Sequence, residues 1–198
     1  MKFVPRSEAT RSFIIETTAE LFNKKGYAGT SIADLEKITK LTKGSIYGNF
    51  ENKEQVALAV FDYNLNRLQE KIKDGVHNNA DYKGKILSYL VTYHSLQGSY
   101  GGCPLQNTAV EADDTHEGLR ERASAGLVCW KDSLMELIRA GMDVNEFKAD
   151  TNAEKIALTF MALIEGAILI SRTTKNRAYF ETVLSVASDT IEGICTIK

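Results

Sequence analysis

The chain has 198 residues, 43% hydrophobic and 25% charged, with a net charge of −2; this is an ordinary globular composition and excludes a uniformly basic nucleic-acid coat. The charge is unevenly spread. Residues 1–56 hold nine Lys/Arg against seven Asp/Glu, and the remainder fifteen against nineteen, so the head is mildly positive and a local basic face for DNA stays open.

Only two prolines occur, Pro5 and Pro104, which favours long helices. Met1 to Thr10 is polar and reads as having no signal peptide. The longest apolar stretch, Ile156 to Ile170, is broken by Glu165 and falls short of the roughly 20 residues a membrane span needs, so a buried helix is expected. Cys103, Cys129 and Cys195 are odd in number and widely spaced, which suits a reducing cytoplasm and gives no disulfide framework or zinc pattern.

In chain order, Phe13-Ile14, Thr17-Thr18 and Leu21-Phe22 recur every four residues and predict a first amphipathic helix. It ends at Lys24-Lys25, with Gly26 as a left-handed cap. Ser31 and Asp34 carry capping-box spacing for a second helix, whose inner face is Ile32, Leu35 and Ile38. Thr42 caps a short third helix from Lys43 to about Asn49. Asn52, with Gln55 at the capping-box position, opens a fourth along Val56, Val60, Phe61, Leu65, Leu68 and Ile72. Gly75 to Asp81 reads as a linker, Tyr82 to Leu96 as a fifth helix and Gly98 to Cys103 as a glycine-rich loop. Pro104 starts a short sixth helix at its first position. Thr115–Gly141, Asn152–Thr174 and Arg177–Thr196 complete nine. No segment alternates with period two, so the expected fold is all-α.

The stretch from Thr30 to Phe50 places two short helices, joined by about four residues, after a longer one, which is helix-turn-helix spacing. A recognition helix needs a small or polar amino end, so that its free N–H groups reach phosphate or base edges. Thr42, Lys43, Gly44 and Ser45 supply it. Ile46 and Phe50 form its docking face, Tyr47 and Asn49 are expected to point outward, and Lys53 adds charge near the same backbone.

This pattern resembles the tetracycline-repressor (TetR) family. The resemblance runs from Phe13 to Leu58 through Gly26-Tyr27, Thr30-Ser31, Lys43-Gly-Ser-Ile-Tyr-Gly-Asn-Phe50 and Asn52-Lys53-Glu54. It implies a nine-helix protomer, a homodimer through the last two helices, and a repressor released by a small-molecule inducer. It also implies DNA contact by Ser31, Thr42, Lys43, Gly44, Ser45, Tyr47, Asn49 and Lys53. Lys43 and Ser45 would go to bases or phosphate, and Thr42, Tyr47 and Lys53 to phosphate. Paired heads about one helical turn apart, roughly 34–36 Å, would read a palindromic operator. This chain departs from the family at Thr39-Lys40, where Ala-Gly is usual, at Glu36 in place of a small residue, and at Asn49 in place of His or Tyr.

These expectations divide the chain at residues 1–53, the DNA-binding head, and 54–198, a ligand-binding and dimerisation body. Candidate lining residues are Tyr63, Tyr89, Tyr93, Trp130, Phe160 and Glu165; the aromatics read equally as core. Glu165 would pair with Arg172, sit at a dimer seam or meet a ligand, because a lone buried carboxylate is costly. Cys103 follows two glycines and precedes Pro104, so a helix amino end would favour its thiolate and a flexible loop would keep it accessible. Gly102 to Ala109 also resembles a TetR subgroup that includes the repressor of N-ethylmaleimide reductase, where a cysteine senses electrophiles; Arg172 stands near that repressor's helper lysine. A plain structural cysteine is the alternative. Cys129 and Cys195 are expected to be buried. No cofactor is implied, and Cys103, His94 and His116 have no zinc spacing. A cysteine enzyme using Cys103 with His94 or His116 lacks a signature orienting a base. A helical adaptor without DNA binding would leave the head motif unexplained.

Overall fold

The structure, a computed structural model, describes residues 6–95 and 101–196. Among them nine helices carry the fold: α1 (Arg6–Lys25), α2 (Ile32–Thr39), α3 (Lys43–Tyr47), α4 (Lys53–His77), α5 (Tyr82–Ser95), α6 (Pro104–Ala112), α7 (Glu117–Asp143), α8 (Ala153–Thr174) and α9 (Arg177–Glu192). The β pairing among these residues is an isolated bridge between Phe147 and Cys195.

Local chemistry sets most helix ends. Gly26 leaves α1 at φ +73°, a conformation that costs a side-chain-bearing residue free energy. Ser31 Oγ accepts from Asp34 N at 3.1 Å while Asp34 Oδ2 accepts from Ser31 N at 2.9 Å, a reciprocal capping box. Thr42 Oγ1 accepts from Ser45 N at 3.2 Å. Asn52 Oδ1 accepts from Gln55 N at 2.9 Å, but the Gln55 side chain accepts from Glu51 N at 3.1 Å, one residue earlier than the expected box.

Several expectations are corrected. Gly75 lies inside α4, which runs on to His77, so the linker is shorter than Gly75–Asp81. A Cβ at Gly75 would stand 3.0 Å from Ser88 Oγ; the glycine serves close packing of α5. Phe13 and Ile38 face outward, 46% and 40% exposed, and Thr39 takes the inner position expected of Ile38. Thr39 hides its hydroxyl by donating to Leu35 O at 2.7 Å. α3 ends at Tyr47, α7 starts at Glu117 and α9 ends at Glu192. Cys103 is fully buried rather than accessible, whereas of the two cysteines expected inside Cys129 is exposed and Cys195 half-buried. The glycine loop is described from Gly101 onward, with Gly101 and Gly102 at φ +85° and +92°; residues 98–100 of it lie outside the described residues.

The chain forms two compact units, one from Met1–Leu68 and Gly98–Ser124, the other from Gln69–Gln97 and Ala125–Lys198. The first is built on Ile14, Ala19, Phe22, Leu35, Ile46, Phe50, Val56 and Val60, all buried together. Its buried polar groups are satisfied: Thr18 Oγ1 donates to Ile14 O at 2.7 Å, Thr30 Oγ1 to Gly26 O at 2.6 Å and Asn64 Nδ2 to Ala19 O at 3.0 Å. Unpaired, each would cost about 1–3 kcal/mol. In the second unit α8 and α9 make the most extensive pairing, along buried Ile164, Ala167, Ile168 and Ser171 of α8 and Phe180, Leu184, Ala187 and Ile191 of α9. Gly141 leaves room for the buried Phe147 ring, which a Cβ would approach to 2.3 Å. The Glu146 carboxylate accepts from Tyr82 N and Lys83 N at 2.9 and 2.6 Å, capping α5.

Candidate nucleic-acid interface

α2 and α3 meet through a turn whose left-handed residue is Lys40, at φ 59° and ψ 21°, with its N–H on Glu36 O at 2.9 Å. A non-glycine residue there costs roughly 1–2 kcal/mol. The inner side of the pair is apolar and closed: Leu35, Ile46 and Phe50 are buried. The outer side carries exposed Ser31, Thr42, Lys43 and Gly44, with Ser45, Tyr47 and Asn49 half-buried. The Lys43 ammonium lies 5.9 Å from the Tyr47 ring centre, so cation and phenol occupy one side of α3.

Two residues behave differently from the outward donors that the spacing implies. Asn49 Nδ2 donates to Ser45 O at 2.9 Å, committing its amide within the motif. Lys53 Nζ donates to Tyr27 O and Thr30 O at 2.7 and 2.8 Å and sits 4.1 Å from the Tyr27 ring centre. Its charge therefore clamps the α1–α2 connection and leaves at most one N–H for a phosphate.

Three supporting contacts escaped the sequence reading. Arg11 Nη1 donates to Asn49 O at 2.6 Å, and its guanidinium covers the Phe50 ring at 3.9 Å, which pins the end of α3 to α1. Helical spacing alone carries no signal for that contact. Glu36 Oε1 accepts from Lys43 N at 2.7 Å, so the departure at Glu36 caps α3. Lys25 Nζ donates to Asp34 Oδ1 at 2.9 Å; with the Ser31 N–H, the stronger influence, it holds the Asp34 carboxyl well below the usual carboxylate range.

The candidate ligand residues divide between the units. Tyr63 packs half-buried against the first unit's core, with Arg67 over its ring at 5.6 Å. In the second, Tyr93 stacks on Trp130 with centroids 5.2 Å apart and planes at 25°. Tyr89, Tyr93, Trp130 and Phe160 are buried and Glu165 is half-buried. Burial pushes the Tyr89 phenol up to about 12, with a smaller contribution from Cys129. The Trp130 indole N–H is buried without a hydrogen-bond partner among the described residues. A cleft among Lys71, Asp74, Asn78, Leu87 and Ser95 in that unit, and one among Phe22, Asn64, Thr108, Glu111 and Leu119 in the first, include none of these candidates.

A short polar-ended helix, docked by an apolar face behind a capped partner helix, defines a helix-turn-helix DNA-binding protein. The profile described as bacterial regulatory proteins, tetR family, matches residues 14–60, and that described as tetracyclin repressor-like, C-terminal domain, matches residues 85–187. A solved TetR-family transcriptional regulator from Cytophaga hutchinsonii is 50% identical, covers 100% of both chains and superposes with a TM-score of 0.95. The transcriptional repressor DhaR of Mycobacterium sp. (strain GP1) is 23% identical over 91% of this chain and 91% of its own. The repressor NemR of Escherichia coli, solved in its reduced form, is 21% identical over 96% of this chain and 98% of its own with a TM-score of 0.81, a likeness of fold alone. The chain belongs to the TetR family of helix-turn-helix transcriptional regulators, a non-enzymatic class whose members bind operator DNA, typically as ligand-responsive dimers. No helix among the described residues is long and apolar enough to cross a membrane.

Proposed function

We propose that this chain is a cytoplasmic repressor that binds a palindromic operator as a homodimer, one α3 in each half-site, and is released by a small-molecule inducer. The observation that carries the reading is the two-sided α2–α3 pair, with Ile46 and Phe50 buried and Thr42, Lys43 and Gly44 exposed at one end. Residues 1–53 take the DNA-binding role and 54–198 the ligand-binding and dimerisation role, with α6 in one compact unit with the head. Lys43 and Ser45 contact bases or phosphate, Thr42, Tyr47 and Ser31 contact phosphate, and Gly44 lets the backbone approach. Phosphate contacts set register and base contacts set specificity. Asn49 serves through its bond to Ser45, and Lys53 through the clamp with one N–H left for a phosphate.

Dimerisation through α8 and α9 is supported by their outward apolar residues: Leu158, Leu169, Ile170, Tyr179 and Val186 are 44–57% exposed. A Cβ at Gly166 would meet nothing within 4 Å in its own protomer, which leaves space for a partner helix. The inducer site is assigned to Tyr89, Tyr93, Trp130, Phe160 and Glu165, supported by the unanswered indole N–H, for which an inducer would supply the acceptor. Burial of Cys103 favours an inducer that binds without covalent attack. Release is a population shift: the inducer binds better to a dimer whose heads no longer fit both half-sites.

The test is selection from a random-sequence duplex pool by the wild-type protein. The reading expects an enriched palindrome with half-sites roughly 34–36 Å apart, bound with an affinity that falls steeply with salt. Recovery of no enriched sequence would refute it.

A further inference from the structure

We infer that Glu111, near the end of α6, is a positioning residue for operator recognition, a role that rests on the regulator reading above. Its carboxylate accepts from two consecutive backbone N–H groups across more than 80 residues of sequence: Oε2 from Tyr27 N and Oε1 from Ala28 N, both at 2.8 Å. Charge-assisted bonds of this kind are short and direction-dependent. The chain is shaped to receive that carboxylate. Gly26 turns left-handed at φ +73°, and a Cβ there would stand 2.3 Å from Glu111 Oε2.

The same connection is held from α4. Tyr27 donates its N–H to Glu111 and its carbonyl accepts from Lys53. The Tyr27 ring takes the Lys53 ammonium on one face and meets the His116 ring edge-on at 4.7 Å. His116 lies ahead of α7, its Nδ1 accepting from Leu119 N at 3.2 Å and its Nε2 3.7 Å from Glu54 Oε1. α6 is tied to α1 itself by Asn107 Nδ2 donating to Asn23 O at 2.9 Å, and to its own approach by the same amide on Gly101 O at 2.9 Å.

The Glu111 and Lys53 bonds converge on residues 27–30, and Ser31, the cap of α2, follows immediately. α2 leads through the Lys40 turn to α3, so whatever fixes residues 27–30 fixes where α3 presents Lys43. A displacement of α6 of about 1 Å would take both Glu111 bonds out of hydrogen-bond range. Glu111 touches no base or phosphate in this scheme and acts through Tyr27 and Ala28.

The test uses the full-length protein, the duplex that wild type selects from a random pool, and an unrelated duplex of equal length. Glu111→Ala is expected to weaken binding to the selected duplex at least tenfold and to the unrelated one less than twofold, because phosphate contacts survive while register is lost. Glu111→Gln, the same shape with one acceptor, is expected to fall between. Amide exchange at Tyr27 and Ala28 should quicken in both variants, reporting the bonds directly. Should Glu111→Ala fail to fold, Glu111→Gln decides by the same ratio. Unchanged affinity for the selected duplex, or an equal loss on both duplexes, would overturn the inference. A wild-type protein that selects no duplex would instead fail the regulator reading, and the inference with it.

Discussion

Lys40 joins turn strain and an exposed charge in one position, and replacing it by glycine separates them. Lys40 occupies the left-handed region at φ 59°, which costs an L-residue about 1–2 kcal/mol. Glycine relieves that cost but enlarges the freedom of the unfolded chain by about 0.5–1 kcal/mol. The N–H that reaches Glu36 O is backbone and survives the change. Lys40→Gly should therefore gain roughly 0.5–1 kcal/mol, which for a chain of this size raises Tm by about 1–4 °C. Lys40→Ala keeps the Cβ and the strain and should leave Tm nearly unchanged, so the pair isolates backbone from charge. If the exposed ammonium also meets a phosphate, both variants lose about one charge from the salt dependence of DNA binding, a change in slope of about 0.9. Calorimetric melting and a salt titration on the selected duplex read both quantities. A lowered Tm in Lys40→Gly, or an equal rise in Lys40→Ala, would refute the strain argument.

Lys53→Met should remove two charge-assisted bonds and a cation–ring contact; at about 1.5–3 kcal/mol for hydrogen bonds to a charged group, a stability loss of at least 2 kcal/mol is expected in chemical denaturation, and a loss under 0.5 kcal/mol would show the clamp to be idle. The lowered Asp34 pKa means that its stabilisation is present above the ordinary carboxylate range and disappears as pH falls through the lowered value. Asp34→Asn should thus melt earlier than wild type at neutral pH, with the gap closing as pH drops below about 4; a gap independent of pH would contradict this. Thiol titration of the native protein should show one fast group, Cys129, lost in Cys129→Ser, with half-buried Cys195, whose thiol burial pushes up, reacting more slowly and Cys103 reacting after unfolding; a fast phase surviving in Cys129→Ser would contradict the burial pattern. Trp130 is the sole tryptophan, so a ligand that answers its N–H should shift its emission to longer wavelength; a releasing inducer that leaves the emission untouched would remove Trp130 from the inducer site.

The fold was legible because its signals are local. Ser31 with Asp34, Thr42, and Pro104 after Cys103 mark helix starts through side-chain reach and ring geometry, and each stands where the spacing puts it. Tertiary packing overrode local reading elsewhere. Gly75 looks like a breaker but stays helical because Ser88 needs its missing Cβ. Ile38 fits the inner face by spacing, yet Thr39 occupies it by hiding its hydroxyl on Leu35. The polar amino end of α3 was legible, whereas its supports were not. Arg11, Lys53 and Glu111 act on backbone atoms 38, 26 and 84 residues away, and no periodicity encodes such partners. Cys103 shows a related limit: flanking glycines suggest mobility, but Gly101 and Gly102 are themselves buried.

The most direct measurement is the affinity of Lys43→Ala and Tyr47→Ala, each against wild type, for the selected duplex at fixed salt, with melting recorded in parallel. Lys43 is exposed, whereas Tyr47 is half-buried against the first unit's core, so Tm should hold in Lys43→Ala and fall modestly in Tyr47→Ala, while affinity measured well below either melting falls at least tenfold. Affinities equal to wild type in both variants would contradict the presentation of α3 to a DNA groove.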